Sequence, residues 1–259
     1  MKLDLYQIDA FANKAFEGNP AAVCPLEYWL DDKIMQNIAM ENNLSETAFF
    51  VKNETQYDIR WFTPNAEVNL CGHATLASAH LLFNMLGYPD NTITFNSKSG
   101  PLHVRKDQEI ITMDFPIETP IPCDTPQAIT DAFGKAPVEV FKFNDYIVIF
   151  DDYEDLTRFA PSLETLKTLD LRGVCITCKD STYDFVSRFF APNVGINEDS
   201  VTGSSYTQLM PYWAAKLQKT KLNAKQLSPR GGEVQCEIKG SRVHISGTAV
   251  HYLTGKINI

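Results

Sequence analysis

Short runs of alternating apolar and polar residues predict more strands than helices in this chain. In the first half, the alternation predicts strands at residues 3–10, 45–51, 57–63, 93–95, 102–105 and 110–115. In the second half it predicts strands at residues 146–150, 171–177 and 183–190, and a closing hairpin formed by 231–238 and 242–250. The excess of short strands favours an α+β fold with mixed or antiparallel sheets.

Helical spacing of apolar residues predicts longer helices at 30–40, 73–86 and 204–217, and short helical pieces at 156–159 and 162–168. In the 73–86 segment Leu76, His80 and Phe83 share one stripe, and Gly87 is predicted to end the helix. Prolines at 116, 120, 122 and 126 mark a connector. We therefore expect two domains, 1–118 and 119–259, with the last residues able to pair back onto the first.

A shift of 128 residues aligns the first half of the sequence with the second half. It superimposes Arg60, Phe62, Pro64 and Asn65 on Arg188, Phe190, Pro192 and Asn193. A short loop and a helix start follow in both halves, and without gaps Cys71 is opposite Asp199. The pattern predicts two pseudo-symmetric domains with a ligand-binding cleft between them.

Two predicted helices begin just after glycines, one after Gly72 and one after Gly203. Helix N-termini offer unpaired backbone N–H groups, and a glycine allows an anion to approach them closely. Ser204 and Ser205 add hydroxyl donors. We expect a small carboxylate ligand held by backbone amides rather than by arginine or metal; ordinary capped helix starts are the alternative.

Composition narrows the function classes. The chain has 259 residues with a net charge of −9, 44% hydrophobic and 21% charged residues, and no run apolar enough to cross a membrane. Nucleic acid and anionic membrane are therefore not expected partners. The start lacks a signal-peptide pattern, and six cysteines are too sparse for a disulfide framework, so a cytoplasmic protein is expected.

Motifs for other chemistries are weak or missing. Cys175 and Cys178 form an isolated C-x-x-C in a predicted strand, where residues three apart face opposite sides, so neither a disulfide nor zinc is favoured. No phosphate-binding loop, dinucleotide fingerprint or zinc-protease helix is present in the sequence.

Ordered sequence blocks nevertheless carry a specific likeness. They are QIDAF at 7–11, GNPAAV at 18–23, NLSETAF at 43–49, RWFTP at 60–64, EV at 67–68, LCGHAT at 70–75, RFFAP at 188–192, EDSVTGS at 198–204 and RGGE at 230–233. Together they cover nearly the whole chain. The sequence resembles the PhzF-like phenazine-biosynthesis family.

That resemblance implies a diaminopimelate epimerase-like fold, in which each of two similar domains wraps a sheet around a central helix. It implies an isomerase that transfers protons without a cofactor or metal. It further implies that Glu46 is the acid/base and that His73 and Asp199 assist at the substrate. Substrate-binding positions would be Asn19, Gly72, Gly203 and Ser204.

Glu46 also stands out from the residues alone. It lies in a strand with apolar neighbours, so it is expected to be half-buried, and burial raises a carboxyl pKa toward neutrality. Such a group can both accept and return a proton. The alternative is an outward-facing strand glutamate, the usual environment of this residue type.

Asp199, His73 and Cys71 each have an ordinary structural explanation too. Asp199 suits a helix N-cap, His73 can cap a helix, and Cys71 next to an apolar residue is often plain packing. A catalytic Cys71 would permit a different reaction, a two-base epimerase or racemase that uses Cys71 and Asp199. A protein that kept the fold but only binds or scaffolds is the remaining alternative.

Two residues depart from the usual family pattern: Ser200 stands where the family often has proline, and Tyr206 where it often has histidine. Both bear on the substrate and on the shape of the second-half pocket. The expected partners are a small-molecule carboxylate substrate and, left open by the sequence, a second copy of the chain in a homodimer.

Overall fold

A computed structural model describes residues 1–259. Its strands are β1 (Lys2–Ala10), β2 (Asn19–Leu26), β3 (Glu46–Asn53), β4 (Gln56–Phe62), β5 (Glu67–Val68), β6 (Thr92–Ser97), β7 (Gly100–Asp107), β8 (Ile110–Pro116), β9 (Ile121–Pro122), β10 (Glu139–Lys142), β11 (Tyr146–Ile149), β12 (Val174–Lys179), β13 (Phe185–Ala191), β14 (Ile196–Asp199), β15 (Lys221–Gln226), β16 (Gly232–Lys239), β17 (Arg242–Gly247) and β18 (Ala249–Asn258). Its helices are α1 (Asp32–Asn42), α2 (Gly72–Asn84), α3 (Gln127–Phe133), α4 (Tyr153–Arg158), α5 (Leu163–Leu166) and α6 (Ser205–Leu217). The chain is of the α+β class, as its pattern predicted.

The chain divides into two compact units. The first contains Met1–Asp114 together with Ser246–Ile259, and the second contains Phe115–Ile245. The sequence had suggested a division between residues 118 and 119. Residues 246–259 belong to the first unit because β18 pairs along the whole length of β1.

In the first unit, the sheet surrounds one helix. β1 is antiparallel to β18 and β2, β2 is parallel to β3, and β3 is antiparallel to β4. β4 pairs with β5 and with the parallel β6, and β6 continues through β7 to β8. Helix α2 packs on β1, β2, β3, β7 and β18.

Helix α2 is buried on every side, because residues 73–82 are all buried. Leu76 and His80 of the predicted stripe are buried, but so are the other faces of the helix, because a helix enclosed by a sheet has no polar face. The helix also ends at Asn84, before Gly87, which lies in the following turn with a φ of +68°.

The second unit repeats the strand pairing of the first in the same order. β10 is antiparallel to β11, β11 is parallel to β12, and β12 is antiparallel to β13. β13 pairs with the antiparallel β14 and the parallel β15, and β15 continues to β16. Helix α6 occupies the place of α2 in this order. The like topology of the two units agrees with the internal repeat found in the sequence.

The same ion pair recurs in both units. Arg60 on β4 forms a two-pronged pair with Glu67 on β5 (2.7 and 2.9 Å), and its guanidinium lies over the Phe62 ring. Arg188 on β13 forms the equivalent pair with Glu198 on β14 (2.7 and 3.0 Å). These contacts explain why the arginine and phenylalanine recur: they tie each repeated strand to the loop that leads into its helix.

Helix α6 tolerates Pro211, as the sequence predicted. A proline inside a helix lacks the N–H that would bond the carbonyl four residues earlier. That carbonyl belongs to Thr207, and it accepts the backbone N–H of Glu118 instead, at 3.2 Å. The helix therefore continues to Leu217 without a buried, unsatisfied carbonyl.

Candidate active site

Glu46 is the first residue of β3 and lies beside Ala21 of the parallel strand β2. Its side chain is 12% exposed. The four residues after it, 47–50, are all buried, because this strand passes between β2 and β4 in the middle of the sheet. The carboxyl group is thus more buried than the half-exposed position expected from the sequence, and it is not directed into bulk water.

His73, in the first turn of α2, lies next to Glu46. Its Nε2 lies 3.2 Å from Oε2 of Glu46. Its other ring nitrogen, Nδ1, lies 3.3 Å from Nδ2 of Asn19 and 3.6 Å from Sγ of Cys71. The structure therefore brings together four of the residues that the sequence singled out: Asn19, Glu46, Cys71 and His73.

Burial lowers the pKa of His73 to about 3. The ring is 5% exposed, and removing imidazolium from water costs more than removing neutral imidazole. His73 is consequently neutral at physiological pH. With this pKa, His73 acts as a hydrogen-bond donor or acceptor in its neutral form.

Asn19 reaches this cluster through a sharp turn before β2. Gly18 has a φ of +65°, and a Cβ atom placed there would lie 2.1 Å from the backbone oxygen of Ala10. Only glycine fits such a close approach of two backbone segments. The turn leads directly into β2, where the Asn19 side chain is fully buried.

Asp199 ends β14 in the second unit, where it is 8% exposed. Its Oδ2 accepts a hydrogen bond from the Thr202 hydroxyl at 2.6 Å. Buried Gln226 braces the same loop, accepting the N–H of Thr202 and donating to the backbone oxygen of Asp199. The carboxylate is thus held by its own loop, in a turn that leads into α6. Gln226 was not recognised from the sequence.

An arginine from outside α6, Arg172 just before β12, contacts the start of this helix and was not singled out from the sequence. Nη2 of Arg172 lies 3.0 Å from Oγ of Ser204, which adjoins Gly203 at the helix start. The same guanidinium pairs with fully buried Asp145 at 2.6 and 2.9 Å. Asp145 therefore offsets the charge that Arg172 brings to this helix start, and the carboxylates of Asp199 and Glu118 also act on Arg172. Neither Arg172 nor Asp145 has a motif that could have announced it.

Cys71 and Asp199 are not equivalent positions of the repeat, although the ungapped alignment of the sequence pairs them. In the first unit Trp61 pairs with Val68, and in the second unit Phe189 pairs with Asp199. Asp199 is therefore equivalent to Val68. The turn Pro192–Val194 adds residues to the second loop, so that Cys71, just before Gly72, corresponds to Thr202, just before Gly203.

Tyr206, one of the two departures from the family pattern, is fully buried in the second unit, with its ring 6.2 Å from that of Phe185. Burial raises its pKa well above the usual value. This residue fills the core rather than a pocket wall. Ser200 contributes its backbone oxygen, which accepts a hydrogen bond from Ser228.

Glu46, Cys71 and His73 each have a potential metal ligand atom, and these atoms lie within 4.8 Å of one another. Such residue types can bind divalent zinc. The shortest contacts, however, use different ring nitrogens: Nε2 faces Glu46 and Nδ1 faces Cys71. One metal ion bonded to a single ring nitrogen would not match both contacts.

Cys175 and Cys178 both lie in strand β12, as predicted, and both are buried free thiols.

The two repeated units and the buried carboxyl–imidazole pair define the class of the protein: it has the diaminopimelate epimerase-like fold of isomerases. A Pseudomonas aeruginosa relative named as an uncharacterized isomerase is 50% identical over 259 residues, covering 100% of both chains. A crystal structure of a PhzF family protein from Enterococcus faecalis matches with a TM-score of 0.97 and 46% identity, again covering 100% of both.

A third match shows the fold alone: a predicted epimerase from Pseudomonas aeruginosa, with a TM-score of 0.78 and 22% identity over 98% of this chain and 99% of that one. The family model described as phenazine biosynthesis-like protein, PhzC-PhzF, matches residues 8–255. This chain belongs to that family, and the resemblance stated from its sequence is confirmed. None of its helices has the length and hydropathy needed to span a membrane.

Proposed function

We propose that this protein is a cofactor-independent isomerase of a small carboxylate substrate, with Glu46 as the group that takes and returns the proton. The proposal depends chiefly on one observation: the Glu46 carboxyl group is 12% exposed and lies 3.2 Å from a buried imidazole. A buried carboxyl group beside a polar partner is typical of general acid–base sites. The name isomerase, carried by a relative of 50% identity, supports the same class of reaction.

In the proposed reaction, Glu46 removes a proton from an activated C–H bond of the substrate. The electron pair of that bond moves into the adjacent unsaturated system, and the Glu46 carboxyl group then returns the proton to another carbon atom. Substrate and product are isomers, so no oxidant or reductant is consumed. Fixed N–H donors stabilise the negative charge that develops meanwhile, usually the largest single contribution in such sites.

The N–H groups after Gly72, at the start of α2, are proposed to bind the substrate carboxylate. Neutral His73 is proposed to hold a polar group of the substrate, and Asn19 lies within the same cluster. Roles for Asp199, Gly203 and Ser204 at the same substrate stay predictions of the family resemblance.

Deuterium uptake tests the proposal. A panel of carboxylates, beginning with dihydro-hydroxyanthranilate, is incubated with the protein in deuterium oxide, and enzyme-dependent exchange is measured by mass spectrometry. Glu46→Gln should lower the rate by about 10²–10⁴-fold, the usual contribution of one acid–base group. Glu41→Gln, a change of an exposed glutamate on α1, is the matched control and should leave the rate unchanged. Full activity of Glu46→Gln on an exchanging substrate would refute the role of Glu46.

The same experiment separates the alternatives. Loss of exchange in Cys71→Ala with a silent Glu46→Gln would indicate a thiol base. Binding of a carboxylate without any exchange would indicate a binding protein that retains the fold. A two-base reaction of Cys71 with Asp199 is not favoured, because the repeat pairs Cys71 with Thr202 instead.

A further inference from the structure

The contact between Asn19 and His73 determines which nitrogen of the imidazole ring carries a proton. Nδ2 of Asn19 lies 3.3 Å from Nδ1 of His73, and both side chains are buried. An amide nitrogen is a donor only, so Nδ1 must accept with its lone pair. A neutral imidazole has a single N–H, which is then on Nε2.

The orientation of the Asn19 amide has its own support. The hydroxyl of Ser45 donates to Oδ1 of Asn19, at 3.4 Å. Since Oδ1 faces Ser45, Nδ2 is the end that faces the ring. The thiol of Cys71, 3.6 Å from the same Nδ1, is a weak donor and is compatible with an accepting Nδ1.

The opposite side of the ring requires the same tautomer. Oε2 of Glu46 lies 3.2 Å from Nε2, and an ionised carboxylate only accepts hydrogen bonds. A lone pair on Nε2 would repel the carboxylate. Nε2 and Oε2 are close enough to attract each other, but their alignment is not that of a hydrogen bond, so Nε2 makes no hydrogen bond in this structure. The Nε2–H group can therefore also serve an acceptor on the substrate.

We propose that Asn19 is a positioning residue: it holds neutral His73 in the Nε2–H tautomer, so that the imidazole donates toward Glu46 and favours its ionised, proton-accepting form. The tautomer follows from the contacts of Asn19, Ser45 and His73 alone. Only its effect on Glu46 chemistry rests on the proposed function.

A second asparagine–histidine pair provides a matched control on the same helix. Nδ2 of Asn84 lies 3.0 Å from Nδ1 of His80, and Oδ1 of Asn84 accepts a hydrogen bond from Lys106. The donor arrangement is the same, but His80 does not contact Glu46. Asn84→Asp therefore repeats the chemical change of Asn19→Asp at a histidine outside the candidate site.

The experiment is long-range proton–nitrogen NMR of the protein labelled with ¹⁵N-histidine, between pH 5 and 8. In the unaltered protein, Nδ1 of His73 should appear as an unprotonated nitrogen and Nε2 as a protonated one. Asn19→Asp replaces the donor by a carboxylate acceptor and should transfer the proton to Nδ1. Asn84→Asp should change the resonances of His80 and leave those of His73 as they were.

The exchange assay supplies the second readout. With the donor at Nε2 removed, the carboxylate form of Glu46 is less favoured, so the acid limb of the pH–rate profile in Asn19→Asp should move up by about one pH unit. At pH values below the acid limbs of both proteins, the Asn19→Asp variant should therefore be about tenfold slower than the unaltered protein. Asn84→Asp should keep the unaltered profile.

The outcomes separate the two proposals. A protonated Nδ1 in the unaltered protein would overturn the tautomer assignment, even if Asn19→Asp fails to fold. An unchanged His73 tautomer in a folded Asn19→Asp variant would overturn the role of Asn19. If the tautomer behaves as expected but no carboxylate exchanges deuterium, the positioning effect on chemistry and the proposed function fail together, while the tautomer assignment stands.

Discussion

Two buried histidines on α2 should make the first unit sensitive to mild acid. Burial lowers the pKa of His73 to about 3 and that of His80 to about 4, whereas a histidine in the unfolded chain has its ordinary pKa of about 6.5. Between these values the unfolded chain binds protons that the folded chain does not. The free energy of unfolding must therefore fall as the pH falls below 6.5.

The size of the effect follows from the same pKa values. From pH 7 to pH 5, the unfolded state gains about 2 kcal/mol from protonating one such histidine, and the folded state gains almost nothing. The two residues together should remove about 4 kcal/mol, a large share of the stability of an ordinary domain. Glu67, whose pKa the bond from Arg60 lowers to about 2, contributes only at lower pH. The window above pH 5 thus isolates the histidines.

Urea unfolding of the first unit, followed at pH 7 and at pH 5, measures this loss. His80→Gln should halve the loss of unfolding free energy between the two pH values, and so should His73→Gln. His103→Gln is the matched control, because His103 is exposed, and it should retain the full loss. If either buried-histidine variant loses as much stability as the unaltered protein, the reasoning from burial is refuted.

The remaining predictions concern stability and are read by urea unfolding. Arg60→Leu removes the two-pronged partner of Glu67, which is 17% exposed but keeps its contact with Lys98, and should cost about 1–3 kcal/mol. Arg188→Leu leaves Glu198 without its two-pronged partner and should cost about 3–5 kcal/mol in the second unit. A loss below about 1 kcal/mol in both variants would contradict the argument. Gly18→Ala should lower the free energy of unfolding by more than about 3 kcal/mol, because the added Cβ would meet a backbone oxygen. Gly87→Ala is the control: its Cβ would lie in open space, so the positive φ alone should cost only about 1–2 kcal/mol. Equal losses in the two variants would contradict this prediction.

Periodicity found most elements that position the candidate site. Strands β3 and β4 and helices α2 and α6 lie close to their predicted bounds. Their apolar patterns are strong, and turn residues or glycines bound them. Glu46 and His73 could be named from motifs, but their 3.2 Å contact could not, because it depends on how β3 and α2 pack.

Strand β2 was not predicted as a strand, and its two prolines explain why. Pro20 and Pro25 argue against a central strand, since proline cannot donate to a sheet. In the structure, Pro20 pairs only with β1 and Pro25 only with β3. Each proline therefore has a partner strand on one side only, so its missing N–H need not break a ladder. Sequence alone does not reveal such a staggered arrangement.

Helix α2 was predicted, but not the extent of its burial. Its small residues are compatible with both an amphipathic surface helix and an enclosed one. The difference is made by strands β1, β2, β3, β7 and β18, which pack on α2 and which the helix's own pattern does not reveal. The ion pair of Arg172 and Asp145 was not predicted for a similar reason: the two residues lie far apart in sequence and meet only through tertiary packing.

The pairing of β1 with β18 has a consequence for biosynthesis. Lys2 lies opposite Asn258, so β1 is translated long before the strand that covers its outer edge. All of Phe115–Ile245 emerges in the meantime and can fold first. Until β18 (Ala249–Asn258) has been translated, β1 presents an open edge, and nascent chains truncated before residue 249 should be especially prone to aggregate or to engage chaperones.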